Sequence, residues 1–513
     1  MHNWVMGKKH CYILLFLLAI ANTSFAYFDF SVNCRKAHQY LMNLRLTEAQ
    51  QIIDVEKRSN PSNIIPYYLE NYKDFITILV SQDKTTFERL LEKRSKAIDM
   101  IEHDDASSPY YNYCLADVYF QWAVARLIFM KDLGDMIDGI KAGMEIKKAY
   151  ELLASNQTKF PAFTPNLKLL GLMRAMIDAV PDSYKSIVKT LAFDGSFEQG
   201  ISELVQLTDK TLTDKNYDYL KSEALFILTF VEINLQGDKQ KAMFLKKYFT
   251  HPIFVEEFKT NATLLYAKAR YEMFFGKNDD AIETLENFPR GKEYAYFGFV
   301  DFLTGKVKLN RLDKDAVIYF LNYTVNYKGA HYIKSAYQHI AWFYLLNNDV
   351  AKYTDYSKKA IKFGSALSET DKQAEYEAKK NSSPNIRLLK ARLLCDGGYY
   401  QLAVKVLDGN DQALQLKTNR DSLEYLYRMA RIYHEWDKVD NAMPYYENVL
   451  RKGSNEVWYF ATNAALQLGL IYESRKQNNA ARLYYKRCLS LNPKEYKNSL
   501  HTKAKAGLKR IGG

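Results

Sequence analysis

The sequence predicts an all-α fold, a right-handed α-solenoid of stacked antiparallel helix hairpins. Three observations point there. Small residues recur in pairs twelve apart: Ala37 and Ala49, Ala269 and Ala281, Ala391 and Ala403, Ala430 and Ala442, Gly469 and Ala481. In three of these pairs a bulky residue, Ile53, Tyr446 or Tyr485, follows the second small residue by four, so small and large side chains alternate along two helices of one hairpin. The 513 residues hold only 11 prolines and 22 glycines but 40 tyrosines. A tyrosine packs its ring while keeping its tip wet, which suits many shallow half-buried surfaces better than one deep core.

The elements follow in chain order. Residues 1–26 read as a secretory signal: Lys8 and Lys9 precede the apolar run Cys11 to Ala21, and Ser24 and Ala26 supply the small residues that signal peptidase needs. Cleavage is expected after Ala26. The run falls short of the roughly 20 residues of a membrane-spanning helix, and no lipobox precedes Cys34. Residues 27–63 form a first hairpin, with Tyr40 in its first helix, Ala49 and Ile53 in its second, and Pro61 beyond it. Over 64–215 the pattern blurs into divergent long-helix hairpins. There Tyr111 to Met130 reads as one apolar helix, and Pro181 to Leu207 as two helices hinged at Asp194 and Gly195. Residues 216–383 carry further repeats, looser around Phe230 and Ala242 and around Ala341 and Tyr344. The polar stretch Ser368 to Pro384 reads as a helix end and loop, and 384–513 as the C-terminal repeats.

The best-formed unit runs from Thr462. Leu468 and Gly469 stand at its positions seven and eight, Tyr472 at eleven, Ala481 at twenty, Tyr485 at twenty-four and Pro493 at thirty-two. This resembles the tetratricopeptide repeat, Trp-x2-Leu-Gly-x2-Tyr, then Ala-x3-Phe, then Pro, with Ala465 in place of the tryptophan. The unit from Leu423 repeats the spacing through Ala430, Tyr433, Ala442 and Tyr446. The resemblance implies a tetratricopeptide-type α-solenoid. A second stretch is similar to the eukaryotic tetratricopeptide-repeat-39 and mitochondrial inclusion-clearance proteins. Pro181, Phe193, Gly195 and Gly200 match that pattern, whereas Ala192 and Ser196 depart from it. It implies only a helical fold.

Composition and motifs argue against most chemistries. The net charge of +12 falls to +10 once residues 1–26 are removed, and no dense basic block with interleaved aromatics marks a nucleic-acid partner. The most basic patch, Lys503 to Arg510, reads as a solvated last helix turn. No phosphate loop, His-Glu-x-x-His or Cys-x-x-Cys occurs. Cys34 and His38 share a helix face without two further ligands beside them, so no metal is expected. The carboxylate pairs Asp104 and Asp105, and Asp279 and Asp280, read as helix caps. Cys34, Cys114, Cys395 and Cys488 are expected to be free and buried, because each pair is separated by at least one hairpin. Asn156, Asn261, Asn322 and Asn381 open Asn-x-Ser/Thr sequons, which matter only in a glycosylating host.

Three functions compete. A helical scaffold would bind a protein or peptide in a concave groove built from successive first helices, with no cofactor and no catalysis. A glycan or small-ligand receptor would use tyrosines as platforms. A helical-toroid hydrolase would need two facing carboxylates that the sequence does not reveal. The scaffold explains most of the informative residues. Its groove is expected along positions two, five, nine and twelve: Glu424, Tyr427, Arg431 and His434 in one repeat, and Asn463, Leu466, Leu470 and Glu473 in the next. The relative that clamps a chaperone's terminal carboxylate wants Lys and Asn where Tyr427 and Arg431 stand, so that ligand is not expected. With the signal, the reading becomes an exported protein of a bacterial envelope, periplasmic or peripheral at the outer membrane, working in envelope assembly or transport.

Overall fold

A computed structural model describes residues 27–103, 105–130, 136–179, 194–380, 382–409 and 414–512. The proposed signal peptide, Asp104, Pro181, Ala192, Phe193 and Asn381 lie outside these residues. Among the described residues the chain is all-α, with one isolated backbone bridge between Tyr27 and Asn63. It divides into two units, the first holding residues to Ala267 with Phe288–Tyr296, the second Lys268–Asn287 with Phe297–Gly513.

In the first unit, α1 (Val32–Met42) and α2 (Leu46–Ser59) form the hairpin expected at 27–63. It is followed by α3 (Ile65–Ser81), α4 (Lys84–Leu91) and α5 (Arg94–Glu102). Next come α6 (Pro109–Phe129) and α7 (Met136–Lys159), an antiparallel pair. The apolar run from Tyr111 is thus one helix, started by Ser108, whose hydroxyl accepts from the Tyr110 amide. α8 (Leu167–Ala179) crosses α9 (Phe197–Thr213) almost backbone to backbone: a Cβ at Gly200 would stand 2.5 Å from the Gly171 carbonyl oxygen. α10 (Lys221–Val231) continues into a π-helical turn at Glu232–Gln236. That wider turn adds a residue. Phe230, expected at the small-residue position, is therefore exposed, and Thr229 is buried in its stead. Short helices α11 (Lys246–Phe249) and α12 (Pro252–Glu257) lead to α13 (Ala262–Phe274), along which the chain passes into the second unit.

The second unit is a run of hairpins: α13 with α14 (Asn278–Glu286), joined through Thr284 to Lys268 and Glu272, α15 (Gly298–Asn310) with α16 (Ala316–Asn326), and α17 (Ile333–Leu346) with α18 (Val350–Lys362). Beyond α19 (Glu369–Lys379) come α20 (Ile386–Asp396) with α21 (Tyr400–Val406), α22 (Asn419–Glu435) with α23 (Val439–Gly453), and α24 (Phe460–Ser474) with α25 (Asn478–Ser490). α26 (Lys497–Arg510) closes the unit. The stretch from Ser368, expected as a helix end and loop, is a helix of its own, because the Ser368 hydroxyl caps the Asp371 amide.

The twelve-residue spacing works as a steric rule. Ala269 and Ala281, Ala391 and Ala403, Ala430 and Ala442, and Ala481 are all fully buried, as are Leu285, Tyr446 and Tyr485 four residues after the second member. Each small residue lets two helices cross closely while the bulky one fills the space beside them. Beneath Gly469 lies the ring of Tyr485: a Cβ on Gly469 would come within 2.6 Å of it. The hairpin turn is as regular as the crossing. Seven residues after the first small residue the backbone turns left-handed, at Leu44, Gly276, Leu312, Asn348, Gly398, Asp437 and Lys476. The next amide then reaches back to a carbonyl five residues earlier, as Lys438 to Tyr433 at 2.8 Å and Gln477 to Tyr472 at 2.9 Å. This bond satisfies an orphan carbonyl at the helix end, offsetting the roughly 1–2 kcal/mol that a non-glycine residue costs in that conformation.

Cys34, Cys114, Cys395 and Cys488 are free and buried. Among the sequons, Asn156 and Asn261 are buried. The Asn156 amide donates to the Pro109 carbonyl and to Asn166, both at 2.8 Å, which leaves it no room for a glycan. Asn322 is exposed. Among the described residues no helix is long and apolar enough to cross a membrane.

Candidate functional site

The residue after each small pivot points along the first helix toward the neighbouring first helices. In the second unit that residue is Arg270 in α13, Lys306 in α15, Trp342 in α17, Arg392 in α20, Arg431 in α22 and Leu470 in α24. Four of the six are cations. Lys306 lies within electrostatic reach of Arg270, Arg392 and Asp396, and burial lowers its pKa, opposed by Asp396. The Arg392 guanidinium stacks over the Trp342 ring, 4.8 Å from its centroid, a cation–π contact that also shields its charge from water.

A recess opens beside this row, lined by Arg392, Arg420 and Arg428 with Glu377 and Glu424, and walled by Tyr459 and Tyr496. Glu424 is buried and holds two of the arginines: Arg428 donates from Nη2 at 2.8 Å and Nε at 3.2 Å, and Arg420 Nη1 lies 3.4 Å away. Burial would raise the Glu424 carboxyl, but Arg428 and Arg420 outweigh it and hold it below its ordinary value. Glu377 is raised, chiefly by burial, although it accepts from Trp342 Nε1 at 3.1 Å and Gln338 Nε2 at 2.8 Å. The recess therefore carries three guanidiniums against two carboxylates, a setting suited to a carboxylate or similar anion.

The expected groove residues fall differently. Tyr427 is buried, its ring tilted against Phe460 at 5.2 Å, and its hydroxyl accepts from Asn463 Nδ2 at 2.8 Å. Leu466 is buried in the last core cluster, and Leu470 packs against it. Positions five thus serve packing between repeats, because the next first helix sits on them, and Tyr427 and Leu466 are withdrawn as contact residues. Glu424 positions arginines instead of facing a partner. Arg431 pairs with Glu435 at 2.6 Å, and His434 Nδ1 lies 3.1 Å from the Tyr446 hydroxyl. Glu473 accepts from Arg510 at 2.6 and 2.8 Å and from Tyr485, tying α26 to its hairpin. The sequence reading missed Arg392, Arg420 and Arg428. Its position nine, carried to the other repeats, would have found Arg392, but not Arg420 or Arg428, which stand at other positions.

A second polar constellation lies inside the first unit. Lys168, 1% exposed, pairs with Asp117 at 2.8 Å and Glu223 at 3.1 Å. Tyr68 donates to Asp117, Tyr72 to Glu223 at 2.5 Å, and His38 Nε2 stands 3.3 Å from Glu223. Burial opposes the Glu223 charge, but Lys168 and His38 more than offset it and hold the carboxyl low. The cluster joins α1, α3, α6, α8 and α10, and it is sealed from solvent, so its visible role is to fix these helices. Cys34 faces Asn63, 3.7 Å from its amide nitrogen, and does not join His38 in any shared site. Among the described residues no group of three or more His, Cys, Asp or Glu side chains could hold a metal. Asp279 was expected to cap its helix. It accepts instead from Arg311 at 2.9 Å and Tyr399 at 2.7 Å, while Asp105 closes a turn onto Ser107.

Paired helices with small-residue crossings, a fixed left-handed turn and side-by-side first helices define an array of helix hairpins. The tetratricopeptide repeat family model matches residues 423–451 and 462–495. These are the α22–α23 and α24–α25 hairpins, which are tetratricopeptide repeats. No curated protein matches it.

Proposed function

We propose that the protein is an exported, non-catalytic scaffold that holds a segment of a partner protein against the first helices of its second unit, in cell-envelope assembly or transport. One observation carries the reading: the arginine-lined recess on the face that successive repeats share, where half-buried cations exceed carboxylates. Tetratricopeptide repeats support a role in protein interaction. Export rests on residues 1–26. It fits the pairing at Tyr27, whose nitrogen donates to the Ser62 carbonyl at 2.9 Å and whose carbonyl accepts from Ile64 at 3.0 Å. A cleaved amine at Tyr27 would keep that bond.

The test is site-specific photocrosslinking in the native host. A photoreactive residue at Gln373, on the recess wall, is expected to trap one defined partner. The same residue at Asp440, exposed on a second helix, is expected to trap none. Equal trapping at both sites would overturn the assignment of this face.

A further inference from the structure

α19 is set between two hairpins, α17–α18 and α20–α21, and packs on the first of them. A helix ordinarily docks by an apolar stripe, but among the described residues Ala374 is the only apolar side chain that α19 buries. Its charges are Glu369, Asp371, Glu375 and Glu377 against Lys372 and Lys379. Carboxylates hold it in place of a stripe. Asp371, fully buried, accepts from the Tyr332 and Ser335 amides at 2.7 and 3.0 Å, at the start of α17. Glu375 pairs with Lys334 at 3.0 Å. Glu377 accepts from Gln338 at 2.8 Å and from the Trp342 indole at 3.1 Å. At the far end Lys380 reaches Glu495, in the turn before α26, at 2.5 Å. The helix thus starts on α17 and is tied to the last repeat, and Gln373 and Glu377 form one wall of the recess.

Beneath it α17 presents a row of donors. Lys334, Gln338 and Trp342 recur at every fourth residue, so they share one helix face, and all three are buried. They offer an ammonium, a carboxamide and an indole N–H, and the Arg392 guanidinium stacks on the Trp342 ring. Lys334 also donates to the Ala360 and Ile361 carbonyls. Buried donors need acceptors, and the carboxylates of α19 supply them. A helix held by polar contacts with so little apolar burial is among the easiest elements to detach. We propose that α19 is a tethered stand-in for the partner: it occupies the docking face in the free protein and gives way to an acidic helix of the partner, whose carboxylates then meet Lys334, Gln338, Trp342 and Arg392. This rests on the scaffold reading and names the class of its ligand. A basic or apolar segment would leave the same donors unanswered. Asp371 is the hinge that stays, which keeps Gln373 beside the recess, and Tyr376 to Lys380 is the part that lifts.

The test alters the tie at the far end, in the whole chain. Lys380→Glu sets two carboxylates against each other at Glu495, and Lys380→Glu with Glu495→Lys restores the pair in reverse. Amide exchange of 369–380 is expected to quicken about fivefold in the single variant and to return in the double. Exchange elsewhere in the second unit should stay unchanged, which separates a lifted strap from a lost fold. Lys380→Ala, which removes the tie without adding a charge, should act in the same direction at smaller size. In the native host, trapping by the photoreactive residue at Gln373 is expected to rise about threefold with Lys380→Glu, as the competent state gains population, and to fall back in the double variant. The trapped segment, read by mass spectrometry, is expected to be acidic and helix-forming. Exchange that ignores the tie, trapping that is equal in every chain or lower in the single variant, or a basic trapped segment would overturn the strap and leave the scaffold standing. No trapping in any chain would bring down the scaffold reading and the strap together.

Discussion

Replacing Gly469 with alanine tests the steric rule at its tightest point. The new Cβ would lie 2.6 Å from Cδ1 and Cε1 of Tyr485, whose ring is fully buried. Carbon contacts settle near 3.5–4.0 Å, so the ring would have to retreat by about 1 Å. It has nowhere to go, because a Cβ at Gly507 would stand 2.4 Å from the same ring, placing the α26 backbone against its other face. Overpacking of this kind costs about 1–3 kcal/mol, while Gly to Ala in a helix interior returns about 1 kcal/mol. The net expectation is a loss of about 0–2 kcal/mol, felt in α24 to α26. In a Tyr485→Leu background the methyl has room, and Gly469→Ala should instead stabilise by about 1 kcal/mol, giving a coupling of ~1–3 kcal/mol across the cycle. Hydrogen exchange of peptides from 460 to 512 in the intact chain reads the local free energy. The same sign and size of effect in both backgrounds would refute the argument that Tyr485 dictates a glycine at 469.

Three further outcomes are expected. Lys168→Met strands Asp117 and Glu223 without their cation and should cost the first unit about 3–5 kcal/mol by urea unfolding, whereas converting all three to apolar residues should cost far less. Glu232 is 2% exposed, and burial pushes its carboxyl up to about 7, with Lys241 opposing. Its folded value lies above the unfolded one, so its contribution is full below about pH 4.5 and is lost as pH rises through about 7, a span worth roughly 3 kcal/mol. Exchange rates across 221–236 should therefore rise between pH 5 and pH 8 beyond the intrinsic trend, and Glu232→Gln should abolish that excess. Amino-terminal sequencing of the exported chain should begin at Tyr27, and retention of Met1 in a membrane fraction would sink the export reading.

The hairpins were legible because helix crossings impose a local rule: a residue small enough at one spot, twelve residues from its counterpart, is written directly in the chain. The first unit's cluster was not, since Asp117, Lys168 and Glu223 lie more than fifty residues apart and meet only after folding. A trace existed, in that each charge is flanked by apolar residues within a largely apolar helix. The groove stripe failed at Tyr427 and Leu466 because periodicity assigns a helix face without saying which neighbour covers it. Arg392 and Lys306 escaped for the opposite reason: each looked like an ordinary surface cation until the adjoining helices enclosed it.

The fixed interval from pivot to left-handed turn has a bearing on how such a chain can change length. Seven hairpins keep it at seven residues, whether the turn holds Leu, Gly, Asn, Asp or Lys. From one pivot to the next, however, the second unit varies between 36 and 50 residues, and the longest step contains the whole of α19. Insertions and deletions are thus accommodated where one hairpin hands over to the next, never inside the hairpin. New loops, tags or binding modules grafted at those junctions should leave neighbouring units folded, whereas a single residue added between pivot and turn would rotate every following side chain by about 100°.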